Sequence, residues 1–223
     1  MTARHDPSAG TGILSIWNEY PADDSAFYER WYMTEHFPER LGVAGFLRGR
    51  RYRAVDADRT YFTFYELASP EVLFSGDYIA RLDDPTAWTQ RIMRRWSSMF
   101  RTVCRRVARV GAAVGGFAAV ARFEQPVGIS RGQARELMER LANPCVVAVD
   151  IWQATSEQNG ESTEASSRSE ADRWISGAVV VETTNEASAR RAKAMLAELL
   201  GVDAASASIG IYALIAMQDA PPR

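Results

Sequence analysis

The chain has 223 residues, with 26 basic and 28 acidic side chains and an apolar content of 47%. This composition is typical of a globular protein and excludes wholesale disorder. A formal charge of −2 gives no overall attraction to nucleic acid or to an anionic membrane. The aromatic residues are unevenly spread, since 18 of the 23 lie in the first 110 residues. This imbalance points to the N-terminal half as the place for any chemistry.

The cysteines, histidines and apolar segments exclude several classes of protein. Cys104 and Cys145 form no cluster, so we expect neither a disulfide framework nor a zinc site, and we interpret both as buried, inert thiols. The first residues lack the apolar core of a signal peptide, and the longest apolar run, 110–121, is too short to span a bilayer. We therefore expect a cytoplasmic protein with no nucleic-acid or membrane partner and with neither a metal nor another cofactor.

The predicted elements of the first half follow the order βαββαβ. Strand-like segments cover 12–20, 46–55, 61–67 and 99–109, and an aromatic helix covers 25–37. Two further helices are predicted to begin near Ser69 and Asp84. Pro38 is expected to end the aromatic helix, because proline lacks the amide N–H and its ring clashes with the preceding turn.

The second half repeats this order with plainer residues. Strands are predicted over 117–124, 145–154, 174–183 and 208–217, and helices over 130–141 and 183–200. The polar segment 155–173 has almost no apolar residue and is expected to be a mobile loop.

These orders predict an α+β protein made of two ferredoxin-like halves, residues 1–112 and 113–223. Each half would form one sheet with helices on one face and the other face bare. We expect the two bare faces to pack together as an intramolecular α+β barrel, so that neither half is stable alone.

One segment resembles a known family. Residues 27–46 read FYERWYMTEHFPERLGVAGF. This segment resembles the EthD-like families of dimeric α+β barrels, which have an aromatic first helix, a His-x-Pro at its end and an apolar-x-Gly leading into the second strand. The matching positions are Phe27, Trp31, His36, Pro38, Val43 and Gly45. The second half has no His-x-Pro, so it would be a degenerate copy.

The resemblance implies a barrel with a small apolar pocket. The wider superfamily includes cofactor-free isomerases, cyclases, monooxygenases and haem enzymes, so the fold alone does not give the reaction. We expect the protein to bind a small hydrophobic molecule, with cofactor-independent isomerase, cyclase or oxygenase activity through His36. One alternative is a non-catalytic binding or assembly module whose barrel is filled. Another is a haem protein with His36 as the axial ligand. A homodimer of such chains is left open.

Glu35 and His36 are the candidate catalytic residues. On a helical wheel Glu35 falls inside the aromatic arc and His36 lies beside Tyr32. Burial would raise the pKa of the carboxyl, the helix dipole would favour the cationic imidazole, and the pair could supply a general base and a general acid. Alternatively, Glu35 pairs with Arg51 or Arg53, and His36 caps carbonyls freed by Pro38.

Strand alternation suggests which side chains face a pocket inside the barrel. We assign Leu14, Ile16, Phe62 and Phe64 to the helix-covered side. The opposite, barrel-facing side then carries Ser15, Trp17, Arg50, Tyr52, Thr63 and Tyr65. The candidate substrate-binding set is Trp17, Trp31, Tyr32, Arg50, Tyr52, Thr63 and Tyr65. The alternative is that these side chains merely fill the interface between the two sheets.

Overall fold

A computed structural model describes residues 10–126, 130–141, 143–200 and 207–222. In these ranges the strands are β1 (Gly12–Glu19), β2 (Phe46–Asp56), β3 (Tyr61–Leu67), β4 (Ser97–Val110), β5 (Phe117–Phe123), β6 (Val146–Ala154), β7 (Gly177–Thr183) and β8 (Ala207–Asp219). The α-helices are α1 (Ser25–Trp31), α2 (Phe37–Leu41), α3 (Gly76–Asp83), α4 (Ala87–Met93), α5 (Arg131–Leu141), α6 (Thr163–Ser166) and α7 (Glu186–Leu200). A π-helical turn, Tyr32–His36, joins α1 to α2, and 3₁₀ turns cover Ala22–Asp24 and Pro70–Phe74. None of the helices in these ranges is long and apolar enough to cross a membrane.

The strands form a closed antiparallel barrel in the order β1-β3-β2-β8-β5-β7-β6-β4. In each half the first strand lies between the third and the fourth, as in a ferredoxin-like sheet. The halves join where β2 pairs with β8 and where β4 pairs with β6. The predicted α+β class and the sheet-to-sheet arrangement are confirmed. The proposed boundary at residue 112 falls in the link between β4 and β5, and the prediction that neither half folds alone stands as a prediction.

The interior of the barrel is filled by aromatic side chains. Trp17 stacks on Phe62 with ring centroids 4.7 Å apart, and Phe64 lies 4.8 Å from Trp152. The other large side chains of this cluster are Tyr52, Phe100 and Tyr212. All are at most 2% exposed, so the interior is a packed core.

A buried ion-pair network closes one end of the barrel. It joins three guanidinium groups to three carboxylates: Arg50, Arg106, Arg109, Glu66, Asp150 and Glu182. Glu182 has no exposed side-chain surface, and it accepts hydrogen bonds from Arg50, Arg109 and the backbone N–H of Gly115 at 2.8, 2.8 and 3.0 Å. The charges cancel within the network, as buried ions require.

The aromatic helix does not end at Pro38, which corrects the sequence prediction. The chain stays helical to Leu41, because the turn before Pro38 is widened. The N–H of Phe37 donates to the carbonyl of Tyr32, five residues back. In a regular α-helix the ring of Pro38 would clash with the carbonyl of Thr34, and the wider π turn leaves room for it.

The segment predicted as a mobile loop, residues 155–173, lies across the helices of the first half, and we call it the strap. It contains α6, which packs against α3 and α4. The backbone N–H of Thr155 donates to Val103 of β4 at 3.0 Å, and the N–H of Val103 donates to Gln158 at 2.8 Å. The second half therefore reaches over the first through the strap.

The network at the barrel end gives a prediction for stability. Glu182→Gln removes a charge that two buried arginines share, so we expect the free energy of unfolding to fall by about 3 kcal/mol or more. Urea denaturation measures it. Glu198→Gln on α7, where the side chain is 76% exposed, is the matched control and should change stability by less than about 0.5 kcal/mol. Equal effects of the two substitutions would contradict the prediction.

Candidate functional site

His36 lies in an aromatic layer between α1, the π turn and the outer face of the first-half sheet. Its ring is 3% exposed and stacks on Trp31, with centroids 4.4 Å apart. Tyr32 meets the imidazole edge-on at 5.1 Å, and Trp96 does so at 6.4 Å. This layer, not the interior of the barrel, holds the candidate catalytic imidazole.

Burial sets the protonation state of His36. Desolvation lowers the pKa of the imidazole well below its usual 6.5, and the positive charges of Arg40, Arg51 and Arg101 lower it further. The helix dipole was expected to favour the cation, but it is the smaller effect. His36 is thus neutral at pH 7. Its buried Nδ1 has no hydrogen-bond partner, so this nitrogen can accept a proton from a substrate.

Arg51 lies beneath the helix on the outer face of β2. Its guanidinium carbon is 3.7 Å from the ring centroid of Tyr32, and Nη1 donates to the carboxylate of Glu29 at 2.6 Å. Nε and Nη2 are buried and have no partner. The sequence-based alternative that Arg51 pairs with Glu35 is wrong, since Glu29 takes that place.

Two further arginines complete the basic group around His36. Arg40, on α2, is 2% exposed and forms an ion pair with Glu164 of the strap, while its Nη1 lacks a partner. Arg101, on β4, donates to the hydroxyl of Tyr78 at 2.7 Å and to the side-chain oxygen of Asn159 at 3.0 Å. Buried guanidinium groups keep their charge, and the ion pairs of Arg40 with Glu164 and of Arg51 with Glu29 offset two of these three charges.

A pair of tyrosines lies beside these arginines. The hydroxyl oxygens of Tyr32 and Tyr65 are 3.3 Å apart, and both side chains are fully buried. Burial raises the pKa of both phenols above the usual 10.0. They stay protonated at neutral pH and can donate hydrogen bonds to a negatively charged oxygen.

Glu35 holds α4 in place. Its carboxylate accepts hydrogen bonds from the hydroxyls of Thr86 and Thr89, at 2.5 and 3.1 Å. Thr89 in turn accepts from the indole N–H of Trp31 at 3.1 Å. Glu35 therefore orients the ring on which His36 stacks, and it does so without touching the imidazole.

The sheet divides the predicted substrate-binding set into two groups. Trp17, Arg50 and Tyr52 face the barrel interior as predicted, and Leu14 and Ile16 are on the helix side as predicted.

The faces of β3 are reversed with respect to the prediction. Tyr65 packs in the helix-covered cluster and Thr63 shares its side of the strand, whereas Phe62 and Phe64 fill the barrel. The register explains this reversal, because Tyr65 pairs with Leu14 and cross-strand partners point to the same side. His36, Trp31, Tyr32, Thr63 and Tyr65 are thus together, and Trp17, Arg50 and Tyr52 are on the other side of the sheet.

The sequence prediction missed Arg40, Arg101 and Glu164. The spacing of His36 and Arg40, four residues apart near the same helix face, was the one usable signal. The pairing of Arg40 with Glu164 spans 124 residues, and no local pattern indicates it.

The two cysteines differ in environment. Cys104 is buried as predicted, and burial raises the pKa of its thiol to about 12. Cys145 is only partly buried, and hydrogen bonds with Thr184 and Asn185 lower its pKa. The prediction for Cys145 is therefore wrong on burial.

The residues around His36 do not fit a haem. Trp31 covers one face of the imidazole, and Tyr32 and Trp96 approach its edges. An axial ligand needs open space for a macrocycle beside the coordinating nitrogen, and this packing leaves none. In the described ranges no group of three or more His, Cys, Asp or Glu side chains could hold a metal ion.

The fold is found in solved structures of very different sequence. An anthrone oxidase-like protein aligns over 100% of this chain and 97% of its own, with a TM-score of 0.62 and 11% identity. A provisionally named monooxygenase from Lactobacillus acidophilus aligns over 94% of this chain and 96% of its own, with a TM-score of 0.51 and 8% identity. A provisionally named chlorite dismutase aligns over 93% of this chain and 96% of its own, with a TM-score of 0.50 and 13% identity. The chain is an α+β barrel.

Sequence comparisons give no closer assignment. No family profile matches the chain, and no curated protein matches it. The EthD-like resemblance of residues 27–46 therefore remains a resemblance.

The neutral state of His36 predicts a pH-dependent stability. The unfolded imidazole has a pKa of about 6.5, and the folded one is lower, so the unfolded chain takes up the proton first as pH falls. Stability is therefore full well above about pH 6.5 and falls as the pH drops below it, with a slope of at most about 1.4 kcal/mol per pH unit from one imidazole. Urea denaturation at about pH 7.5 and 5.5 should show this loss in the wild type and not in His36→Gln. The same pH slope in both proteins would contradict the assignment.

Proposed function

We propose that the helix–sheet layer opens to admit a small planar aromatic molecule beside His36, which is 3% exposed in the closed structure, and that the protein oxidises this molecule with molecular oxygen, using His36 as the base and no cofactor. The observation that carries this proposal is the buried, neutral imidazole with an unpartnered Nδ1 beside buried guanidinium groups and a tyrosine pair. The names of two structural neighbours, an anthrone oxidase-like protein and a provisional monooxygenase, support the same class of reaction.

The chemistry follows from the side chains. In an anthrone, two aromatic rings are joined by a methylene group on one side and by a ketone on the other. Nδ1 of His36 removes one methylene proton, and the electron pair that remains moves onto the ketone oxygen as an enolate. The hydroxyls of Tyr32 and Tyr65 and the guanidinium groups stabilise this oxyanion, which is the main catalytic effect expected of preorganised donors.

The enolate then passes electrons to oxygen. One O₂ accepts four electrons in total, and the methylene becomes a second ketone. One oxygen atom enters the product quinone, and the other leaves as water with the two methylene hydrogens. The reaction therefore needs no further reductant.

A second candidate is a non-catalytic binding or assembly module. The filled barrel favours it, because Trp17, Phe62 and Trp152 occupy the interior and pack in one cluster there. Two surface clefts, of about 450 and 500 Å³, lie elsewhere, and His36 lines neither of them. Association of two chains, which either function allows, stays a prediction.

Oxygen uptake with anthrone tests the proposal. His36→Gln should lower kcat by about 100-fold or more, since a general base contributes on this scale. Glu35→Gln should lower kcat less, because Glu35 acts on His36 through Thr89 and Trp31. A residue in this role should also shift the pH profile of the rate.

Arg53→Gln is the control for these variants, since Arg53 lies on β2 two residues after Arg51 and is exposed. It should leave the rate unchanged. Wild-type protein that binds the aromatic probe but takes up no oxygen would reject the oxygenase and leave the binding module.

A further inference from the structure

We propose that the strap is a gate and that Glu164 occupies the place of the ligand's negative charge while the gate is closed. The ligand would be a planar aromatic molecule held as a monoanion, either a carboxylate or the enolate that forms at the site, and this anion displaces Glu164 from Arg40. This inference rests on the site of the proposed function and adds its substrate class and its control.

The ion pair of Glu164 is the first observation. Glu164 is 6% exposed and lies in α6, a four-residue helix capped by Ser162, whose hydroxyl accepts the N–H of Ala165. Its carboxylate reaches across from the second half to Arg40, four residues after His36. A carboxylate of the chain itself therefore neutralises Arg40.

Charge and hydrogen bonding around Arg40 and Arg51 are the second observation. With the strap closed, each of these guanidinium groups has one paired carboxylate, Glu164 and Glu29 respectively. Three of their nitrogen atoms, Nη1 of Arg40 and Nε and Nη2 of Arg51, are buried without a partner. Both arginines also act electrostatically on Tyr32 and Tyr65, so they converge on the tyrosine pair.

These facts indicate what an occupant must supply. Lifting the strap removes Glu164 and leaves Arg40 as a buried charge without a counterion, which is strongly unfavourable. One negative charge with free acceptor atoms restores the balance and satisfies the unpartnered donors. A neutral aromatic molecule does neither until it loses a proton, as anthrone does to His36 in the proposed reaction.

The strap is attached in a way that lets it move. Its contacts with the first half are mainly polar: Asn159 with Arg101 at 3.0 Å, Gln158 with the N–H of Val103 at 2.8 Å, and Glu170 with the N–H of Ser98 at 3.0 Å. Such bonds exchange with water at small net cost. Beside it is a cleft of about 500 Å³ lined by residues between Asn159 and Trp174, and Trp174 itself is 59% exposed. The strap itself lines this cleft, and a segment held mainly by polar bonds can lift without breaking a hydrophobic core.

Fluorescence titration of the full chain with two probes tests this gate. The anionic probe is 9-anthracenecarboxylate, and 9-anthracenemethanol is a neutral molecule of the same shape. Glu164→Gln removes the competing charge, so we expect it to tighten binding of the carboxylate by about tenfold and to change the alcohol much less. Arg40→Gln should weaken the carboxylate by about tenfold or more, because it removes a charge-assisted hydrogen bond. Glu161→Gln, an exposed strap carboxylate, is the matched control and should behave as the wild type.

The opposite sign overturns the inference. If Glu164 only stabilises the fold, Glu164→Gln weakens the binding of the carboxylate probe or changes the binding of both probes alike. Absence of carboxylate binding in both the wild type and a folded Glu164→Gln variant also rejects it. Arg40→Lys keeps the charge and should retain part of the affinity for the carboxylate. It replaces Arg40→Gln in the test if that variant does not fold.

Limited proteolysis with trypsin gives a second readout that does not depend on activity. Saturation with 9-anthracenecarboxylate should speed cleavage after Arg168 in the strap, and the alcohol should not. An unchanged cleavage rate would show that the strap stays closed. The two proposals fail separately: anion binding without oxygen uptake would reject the oxygenase alone, and oxygen uptake without the Glu164 effect would reject the gate alone.

Discussion

Closure of the barrel is the constraint on which the rest of the structure depends. The pairings of β2 with β8 and of β4 with β6 leave no free strand edge, and they enclose a space that must be filled. Trp17, Phe64 and Trp152 fill its centre, and the ion pairs of Glu182 close one end. With the interior filled, the proposed ligand site lies on the outside of the sheet, under the helices.

The helix–sheet layer of the first half has the features that the interior lacks. A hydrophobic layer normally excludes charge, yet Arg40 and Arg51 lie in this one with unpartnered donors. Each is paired with a carboxylate from elsewhere, Glu164 from the strap and Glu29 from the helix. Such an arrangement is often less stable than an apolar layer of the same shape, and the proposed function gives it a role.

The element order and the class of fold could be predicted from the sequence because they depend on local periodicity and on turn residues. The faces of β3 could not. Its segment YFTFY is apolar or aromatic at almost every position and all five side chains are buried, so alternation has no polar side to mark. The register with β1 decides the matter, and register is a property of the folded sheet.

The candidate site shows the same limit. His36 and its neighbours Trp31 and Tyr32 lie on one helical segment, so a short sequence motif indicates them. The buried arginines look like surface residues in the sequence, since arginine is mostly exposed. The contact of Arg40 with Glu164 depends on how the strap crosses from one half to the other. Only the tertiary structure brings the charge and the imidazole together.

The π turn before Pro38 has a geometric consequence. A π turn contains one residue more than an α turn, so every residue after it is rotated by about 100° relative to an unbroken α-helix. On unbroken α periodicity Phe37 would point about 140° away from Tyr32; after this rotation both are buried against the sheet. The same rotation turns Arg40 toward the layer of His36. The position of the cation therefore depends on the extra residue in this turn, because a regular α turn over the same sequence would rotate Arg40 by about 100° from its present direction.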